Sequence, residues 1–322
     1  MIIEVLLIVV GIVVVLWGAD RFTDGACGLA RLLKVSELVI GLTVVALGTS
    51  LPEFMVSFMS VLRGSSDMSV GNIIGSNVFN ILVIIGASAI MKTLTVEKSF
   101  LKRDLPICLA ASVFLFAFSV TEGMIARWEG LLLVLFFCVY LYMAYRVAMK
   151  DRKTPQLPMG GDAGQGATEK NLPQKGVWGY LLLLIVGIVA LVIGGRVLVD
   201  NAAAVAREWG VSESVIGMTI LAGGTSLPEL ATSVVAASKG SLGLAFGNVI
   251  GSNVFNIAFV IGTCSSILPM AVTEITQLDW FMLVGSCILV WIVAFTRREL
   301  CRGEGILLVL CYLTYLISLL VG

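Results

Sequence analysis

Histidine is absent from the 322 residues. That removes the commonest metal ligand and the usual proton carrier near neutral pH, so zinc hydrolases and histidine-based catalysis fall first. Charge is scarce: charged residues make up 13% of the chain, against about 25% in a soluble globular protein. Basic and acidic residues balance at 21 each, so bulk charge implies no nucleic-acid partner. There is no CxxC motif. The seven cysteines (27, 108, 138, 264, 287, 301 and 311) are scattered, mostly in or beside apolar stretches, and read as small buried hydrophobes. The opening MIIEVLLIVVGIVVVLWGADRF has no basic leader and no small-residue cleavage site; it predicts a retained first helix. The short alternating segments of a transmembrane barrel are missing too.

What remains is apolar. Hydrophobic residues are 58% of the chain, and they recur in runs long enough to cross a bilayer as helices, about 18 residues or more. The sequence predicts an all-α polytopic membrane protein with ten transmembrane helices, at about 2–22, 37–62, 69–91, 104–121, 127–147, 178–198, 213–238, 244–269, 278–296 and 303–321. One polar stretch interrupts them. Residues 150–177, rich in Pro, Gly and charge, read as a flexible tether. The chain thus divides into a first five-helix repeat (1–149), a cytoplasmic linker (150–177) and a second repeat (178–322).

Lysine and arginine set the orientation. With the N-terminus outside, 17 of the 21 basic residues fall on the cytoplasmic side, and only Arg63, Arg127, Arg196 and Arg207 lie outside. Both termini are therefore expected outside. The halves are repeats. Adding 176 to a residue number from about 5 to 86 finds its counterpart without a gap, and 25 of the 47 positions from Ile40 to Gly86 are identical to those from Ile216 to Gly262. The matches include Gly, Asn, Ser, Thr, Pro and Glu, which apolar composition alone does not produce. Five spans per half is an odd number, so the second half enters the membrane inverted, as in secondary transporters whose site lies near the midplane.

Two doubled motifs carry the chemistry. GTSLPE occurs at 48–53 and 224–229, inside long apolar runs. Pro52 and Pro228 lack an amide hydrogen, so carbonyls near Ala46–Thr49 and Ala222–Thr225 are expected to be released. In hydrocarbon such carbonyls are costly unless something binds them. Glu53 and Glu229 sit beside them with no Lys or Arg in either span core, and an ionisable group at mid-membrane costs about 2.5–3.5 kcal/mol on insertion scales. The second motif, GN(I/V)IGSNVFNI, runs from 71 and from 247. Asn72, Ser76 and Asn80 share one helix face, as do Asn248, Ser252 and Asn256. Asn77 and Asn253 lie about 100° away and read as interhelical hydrogen bonders. Every offered ligand is oxygen, which favours hard cations such as Ca²⁺ and Na⁺ over copper or zinc.

These motifs, doubled in two five-helix halves, resemble the cation/calcium exchanger superfamily, and within it the compact prokaryotic sodium/calcium exchangers. The resemblance covers essentially the whole chain. It implies a central four-helix core, across which the first and sixth helices slide to alternate access. It implies that Glu53 and Glu229 are the shared Ca²⁺ and Na⁺ ligands and that Thr49 and Thr225 give backbone carbonyls to calcium. The Ala46 and Ala222 carbonyls, with Ser50, Ser76, Ser226 and Ser252, would line sodium sites, and Asn80 and Asn256 would border the middle. It further implies sodium-driven exchange, commonly three Na⁺ for one Ca²⁺, in a plasma or inner membrane, by a monomer in lipid and without a cofactor. Many members carry Asp where this chain has Asn256, so its site charge is −2, from the two glutamates. A proton/cation exchanger on the same scaffold is the alternative. A cation channel would want symmetric ligand rings, and an intramembrane hydrolase would need a glutamate dyad, so the reading is a transporter rather than an enzyme.

Overall fold

The structure is a computed structural model that describes residues 2–153, 176–210 and 222–321. It is helical, with four two-residue strands in loops. The helices in chain order are α1 (Ile2–Leu33), α2 (Glu37–Thr49), α3 (Leu51–Leu62), α4 (Ser66–Met91), α5 (Phe100–Val120) and α6 (Arg127–Lys153). They continue as α7 (Val177–Glu208), α8 (Ala222–Thr225), α9 (Leu227–Ser238), α10 (Leu242–Ile267), α11 (Gln277–Arg297) and α12 (Arg302–Val321). Among the described residues, eight of these are long and apolar enough to cross a bilayer. The pair α2–α3, bent by 47°, makes a ninth if taken as one broken span. The start of the expected span at 213–238 and most of the 150–177 linker lie outside the described residues.

Several boundaries differ from the hydropathy reading, including the end of α6 at Lys153 rather than 147, and two differ most. α1 runs to Leu33 rather than 22, and α7 to Glu208 rather than 198. Each has 32 residues, about 48 Å at 1.5 Å per residue, well beyond a hydrocarbon core of about 30 Å. The added turns of α1 carry charges, yet the run Gly25–Ala30 between them is buried on all sides. α1 and α7 pack on each other along their length and run antiparallel: Gly11 lies against Leu198, Gly18 against Ala190 and Gly25 against Leu184. Glycine is required by proximity. A methyl group built at Gly187 would stand 2.7 Å from Phe22 Cβ, and one at Gly18 would stand 2.9 Å from Ala190 Cβ. Backbones that approach this closely are the usual means of helix association in lipid.

Inside this pair sits a core of α2–α3, α4, α8–α9 and α10. α10 is almost wholly buried and α4 largely so, whereas α1, α6 and α12 turn much of their surface outward. α2 packs on α10, and α8 and α9 pack on α4. The burial pattern inverts that of a soluble protein. Trp178 and Ile2 are exposed on the outside while Glu53, Glu229, Asn80 and Asn256 are fully buried, as expected of a multi-pass integral membrane protein.

Short antiparallel ladders tie the loops of one half to those of the other. β1 (Leu94–Thr95) pairs with β4 (Glu299–Leu300), and β2 (Met124–Ile125) with β3 (Met270–Ala271). The ladders are images of each other under the repeat. So are the flanking bonds, in which the Val96 amide donates to the Arg298 carbonyl at 2.8 Å and the Val272 amide to the Gly123 carbonyl at 2.9 Å. The correspondence therefore extends beyond residue 86, with the offset slipping from 176 to 175.

Candidate cation site

The GTSLPE motif breaks its helix as the proline predicts. Ser50 sits between α2 and α3 with φ −85° and ψ 8°, and Ser226 sits between α8 and α9 with φ −89° and ψ 7°. Pro52 and Pro228 each occupy the first turn of the following helix, where a missing amide hydrogen costs least. Most of the expected carbonyls are released. The Ala46 carbonyl still accepts the Ser50 amide at 3.1 Å, but the helix stops at Thr49 and restarts at Leu51, so the Leu47 and Thr49 carbonyls fall at the break, and Gly48, four residues before Pro52, has no amide hydrogen to meet. Neither serine hydroxyl caps its own helix. Both cross to the other half instead.

Ser50 Oγ donates to Glu229 Oε1 at 2.8 Å, and Ser226 Oγ donates to Glu53 Oε1 at 3.0 Å. Ser76 Oγ reaches Glu53 Oε1 at 3.3 Å and lies 2.7 Å from Ser226 Oγ. The two carboxylates are thereby drawn into one site, each held by a hydroxyl from the opposite repeat. Glu53 and Glu229 also sit in the first turns of α3 and α9, where helix dipoles favour negative charge.

The asparagines form a second layer. Asn77 Nδ2 donates to the Asn253 carbonyl at 3.2 Å, and Asn253 Nδ2 returns the bond to the Asn77 carbonyl at 3.1 Å. Asn80 Nδ2 donates to Asn253 Oδ1 at 2.9 Å, and Asn256 Nδ2 to Asn77 Oδ1 at 3.0 Å. Asn256 Nδ2 also reaches Ser76 Oγ at 3.5 Å. Asn77 and Asn253 are thus interhelical hydrogen bonders, as read from the sequence. They fix Asn80 and Asn256 so that the amide nitrogens are spent and the amide oxygens are free. Both of these residues stand in π-helical turns, Asn80–Ile84 and Phe255–Ile261, a local geometry common at functional sites.

Five buried oxygens in this region have no hydrogen-bond partner: Glu53 Oε2, Glu229 Oε2, Asn80 Oδ1, Asn256 Oδ1 and Ser252 Oγ. A buried acceptor left unpaired costs about 1–3 kcal/mol, and more if charged. Oxygens contributed by four different helices from both repeats have one common remedy, a cation. No third carboxylate or thiolate joins the cluster among the described residues, so the donor set is hard, oxygen-only and of formal charge −2. It suits Ca²⁺ and Na⁺.

Not every predicted residue points inward. Asn72 turns back to Ser57 Oγ at 3.1 Å, as its counterpart Asn248 turns to Ser233 Oγ at 2.9 Å, so the three-residue stripe divides between scaffold and site. Asn248 has a further part that the motif did not reveal: its Oδ1 accepts the Thr49 hydroxyl at 3.0 Å. That fixes the end of α2. Ala222 and Thr225 begin and end α8. The repeat pairing of Asn72 with Asn248 and Ser57 with Ser233 was the available signal for these ties.

The apolar helices are those of a multi-pass integral membrane protein, and its family and fold are those of transporters. The sodium/calcium exchanger protein family matches residues 3–146 and 179–321, and the chain belongs to that family. Sodium/calcium exchanger MaX1 of Methanosarcina acetivorans is 30% identical, over 98% of this chain and 97% of its own. Inner membrane protein YrbG of Escherichia coli is 33% identical, over 99% and 97%. A solved structure of the sodium-calcium exchanger NCX_Mj, soaked with Na⁺ and Ca²⁺, superimposes with a TM-score of 0.82 at 30% identity, covering 99% of both chains.

Proposed function

We propose that the protein is a secondary antiporter that exchanges Na⁺ for Ca²⁺ by alternating access. The observation that carries this reading is the cluster of five unpartnered oxygens around two carboxylates of opposite repeats. Glu53 and Glu229 are the shared ligands. Thr49 and Thr225 offer backbone carbonyls to calcium. The Ala46 and Ala222 carbonyls serve sodium with Ser50, Ser76, Ser226 and Ser252, and Asn80 and Asn256 border the centre. Because the ions share ligands they compete, and competition is what couples exchange. The kinship with MaX1 and NCX_Mj supports sodium as the driving ion.

The architecture is ten spans in two inverted repeats (1–149 and 178–322) joined by a cytoplasmic linker (150–177), with both termini outside the plasma or inner membrane. The antiparallel course of α1 and α7, which are repeat counterparts, supports the inversion. These long helices slide across the core, and one end of α1 is clamped. Lys239 Nζ lies 2.7 Å from both Asp20 Oδ1 and Asp24 Oδ1. The repeat counterparts of Lys239, Asp24 and Asp20 are Arg63, Asp200 and Arg196, so the other half has a second cation in place of one carboxylate, and this clamp belongs to the α1 side alone. The protein works as a monomer in lipid and needs no cofactor.

The test is Ca²⁺ uptake into Na⁺-loaded proteoliposomes with equal pH on both sides. Glu53→Gln and Glu229→Gln should each abolish it while the protein still inserts. Uptake that ignores sodium but follows an imposed pH gradient would assign the driving role to protons carried by the same glutamates.

A further inference from the structure

Outside the carboxylate site, α5 and α11 part near their loop ends to leave a cleft of about 820 Å³. Its walls are of two kinds. Lys98, Lys102 and Arg298 supply three positive charges at the rim, while Pro106, Trp291 and Phe295 form an apolar, partly aromatic floor. The three cations are exposed, and Phe295 is 70% exposed. The acidic neighbours in sequence, Glu97 and Glu299, do not line the cleft, and Glu97 is engaged by the Ser99 hydroxyl at 3.0 Å.

The repeat provides an internal control. The ladder and flanking bonds that build this corner recur in the other half, yet the charges do not. Lys98 corresponds to Glu274, Lys102 to Leu278 and Arg298 to Gly123. Gly123 caps its helix at φ 66°, in the left-handed region where glycine is at home. Arg298 caps α11 in the same conformation, at φ 54°, where a side chain is disfavoured. A lysine or arginine anywhere in this loop would satisfy the positive-inside bias. The same exchange occurs at Lys34, φ 56°, whose counterpart is Gly210, φ 78°, so what sets Arg298 apart is the apolar slot that it and two lysines flank.

We propose that this cleft binds an anionic glycerophospholipid, with the phosphate at Lys98, Lys102 and Arg298 and an acyl chain along Trp291 and Phe295. Basic clefts between helices at the cytoplasmic level recognise such headgroups, and the proposed orientation puts this one there; only the choice of leaflet rests on that reading. An anion without a tail would satisfy the rim and leave the aromatic floor without use.

The experiment is native mass spectrometry of the full-length protein in detergent, offered equal amounts of phosphatidylglycerol and phosphatidylcholine. The wild type should retain one phosphatidylglycerol at least tenfold over phosphatidylcholine. Arg298→Gly with Lys102→Gln should lose that preference at least tenfold. Arg298→Gly alone, which installs the residue that the other half already uses, keeps the fold and should lower it about threefold. Equal retention of the two lipids, unchanged retention in the variants, or displacement by millimolar inorganic phosphate would overturn the proposal. Retention is read without any ion gradient, so the outcome is independent of whether the chain exchanges Na⁺ for Ca²⁺.

Discussion

Replacing Asn256 with aspartate tests the charge logic of the site. Asn256 is fully buried, its nitrogen donates to Asn77 Oδ1 at 3.0 Å and its oxygen has no partner. The two glutamates give the site a charge of −2. One Ca²⁺ cancels it, so the calcium-loaded carrier crosses the field as a neutral unit, whereas three Na⁺ leave +1. Asn256→Asp raises the site charge to −3, and the calcium-loaded carrier then bears −1. A full charge crossing 100 mV is worth about 2.3 kcal/mol, roughly a 50-fold bias, and less in proportion if only part of the field is crossed. The assay is Ca²⁺–Ca²⁺ self-exchange in proteoliposomes held at 0 and −100 mV. The wild type should show no voltage dependence and the variant a clear one. A second signature follows from the amide contact. An ionised carboxylate opposes Asn77 Oδ1, oxygen against oxygen, at about 1–3 kcal/mol, while a protonated carboxyl donates to it as the amide did. The variant should therefore behave like the wild type at low pH and acquire its voltage dependence as pH rises. Voltage-dependent self-exchange in the wild type, or none in the variant at any pH, would refute the argument.

Three further outcomes follow. Gly187→Leu should abolish exchange and cost about 1–3 kcal/mol or more in stability, because Phe22 Cβ stands 2.7 Å from the first added carbon; a thermal melt alongside uptake checks it, and a fully active variant would remove the close α1–α7 crossing from the mechanism. Asn77→Ala and Asn253→Ala should each lower stability by about 1–3 kcal/mol through unpaired buried groups, and a double-mutant cycle should show strong coupling. Lys239→Met should shift the carrier toward opening at the Asp20 end, read by cysteine accessibility on α1, by no more than about fivefold, because partly exposed ion pairs are worth about 0.2–1 kcal/mol. Burial works against the Lys239 charge, but hydrogen bonds and attraction from Asp20 and Asp24 outweigh it, so the ammonium loses its proton above its ordinary 10.5. From neutral pH up to that value the clamp is complete, and on the basic side it is lost only as pH rises past it, so accessibility should stay flat from about pH 7 to about 10.

Much of the design is written in the sequence because its signals are local or repeated. Apolar runs mark the spans, and the 176-residue offset brings Glu53 to Glu229 and Asn80 to Asn256. GTSLPE marks the break at Ser50 because proline removes a donor wherever it stands. The ends of α1 and α7 were not legible in the same way. Asp20, Arg21, Asp24 and Arg31 resemble a loop on a hydropathy scale, and only the neighbouring helices show that the run from Gly25 to Ala30 between them is packed on all sides. Which hydroxyl serves which carboxylate was hidden for a different reason. Ser50 is three residues from Glu53, yet it donates to Glu229, a pairing made by the approach of two halves. The π turns at Asn80 and Phe255 leave no compositional trace, since they are shifts of backbone register. Arg298 reads as one more cytoplasmic charge until the cleft that brings it together with Lys98, Lys102, Trp291 and Phe295 is seen.

The central claim is that Glu53 and Glu229 close a single site in which Na⁺ and Ca²⁺ compete. The most direct measurement is ⁴⁵Ca²⁺ uptake into Na⁺-loaded proteoliposomes at equal pH, for the wild type and for Glu53→Gln. The account predicts uptake that requires internal sodium and vanishes in the variant. Sodium-driven uptake that persists in Glu53→Gln would contradict it.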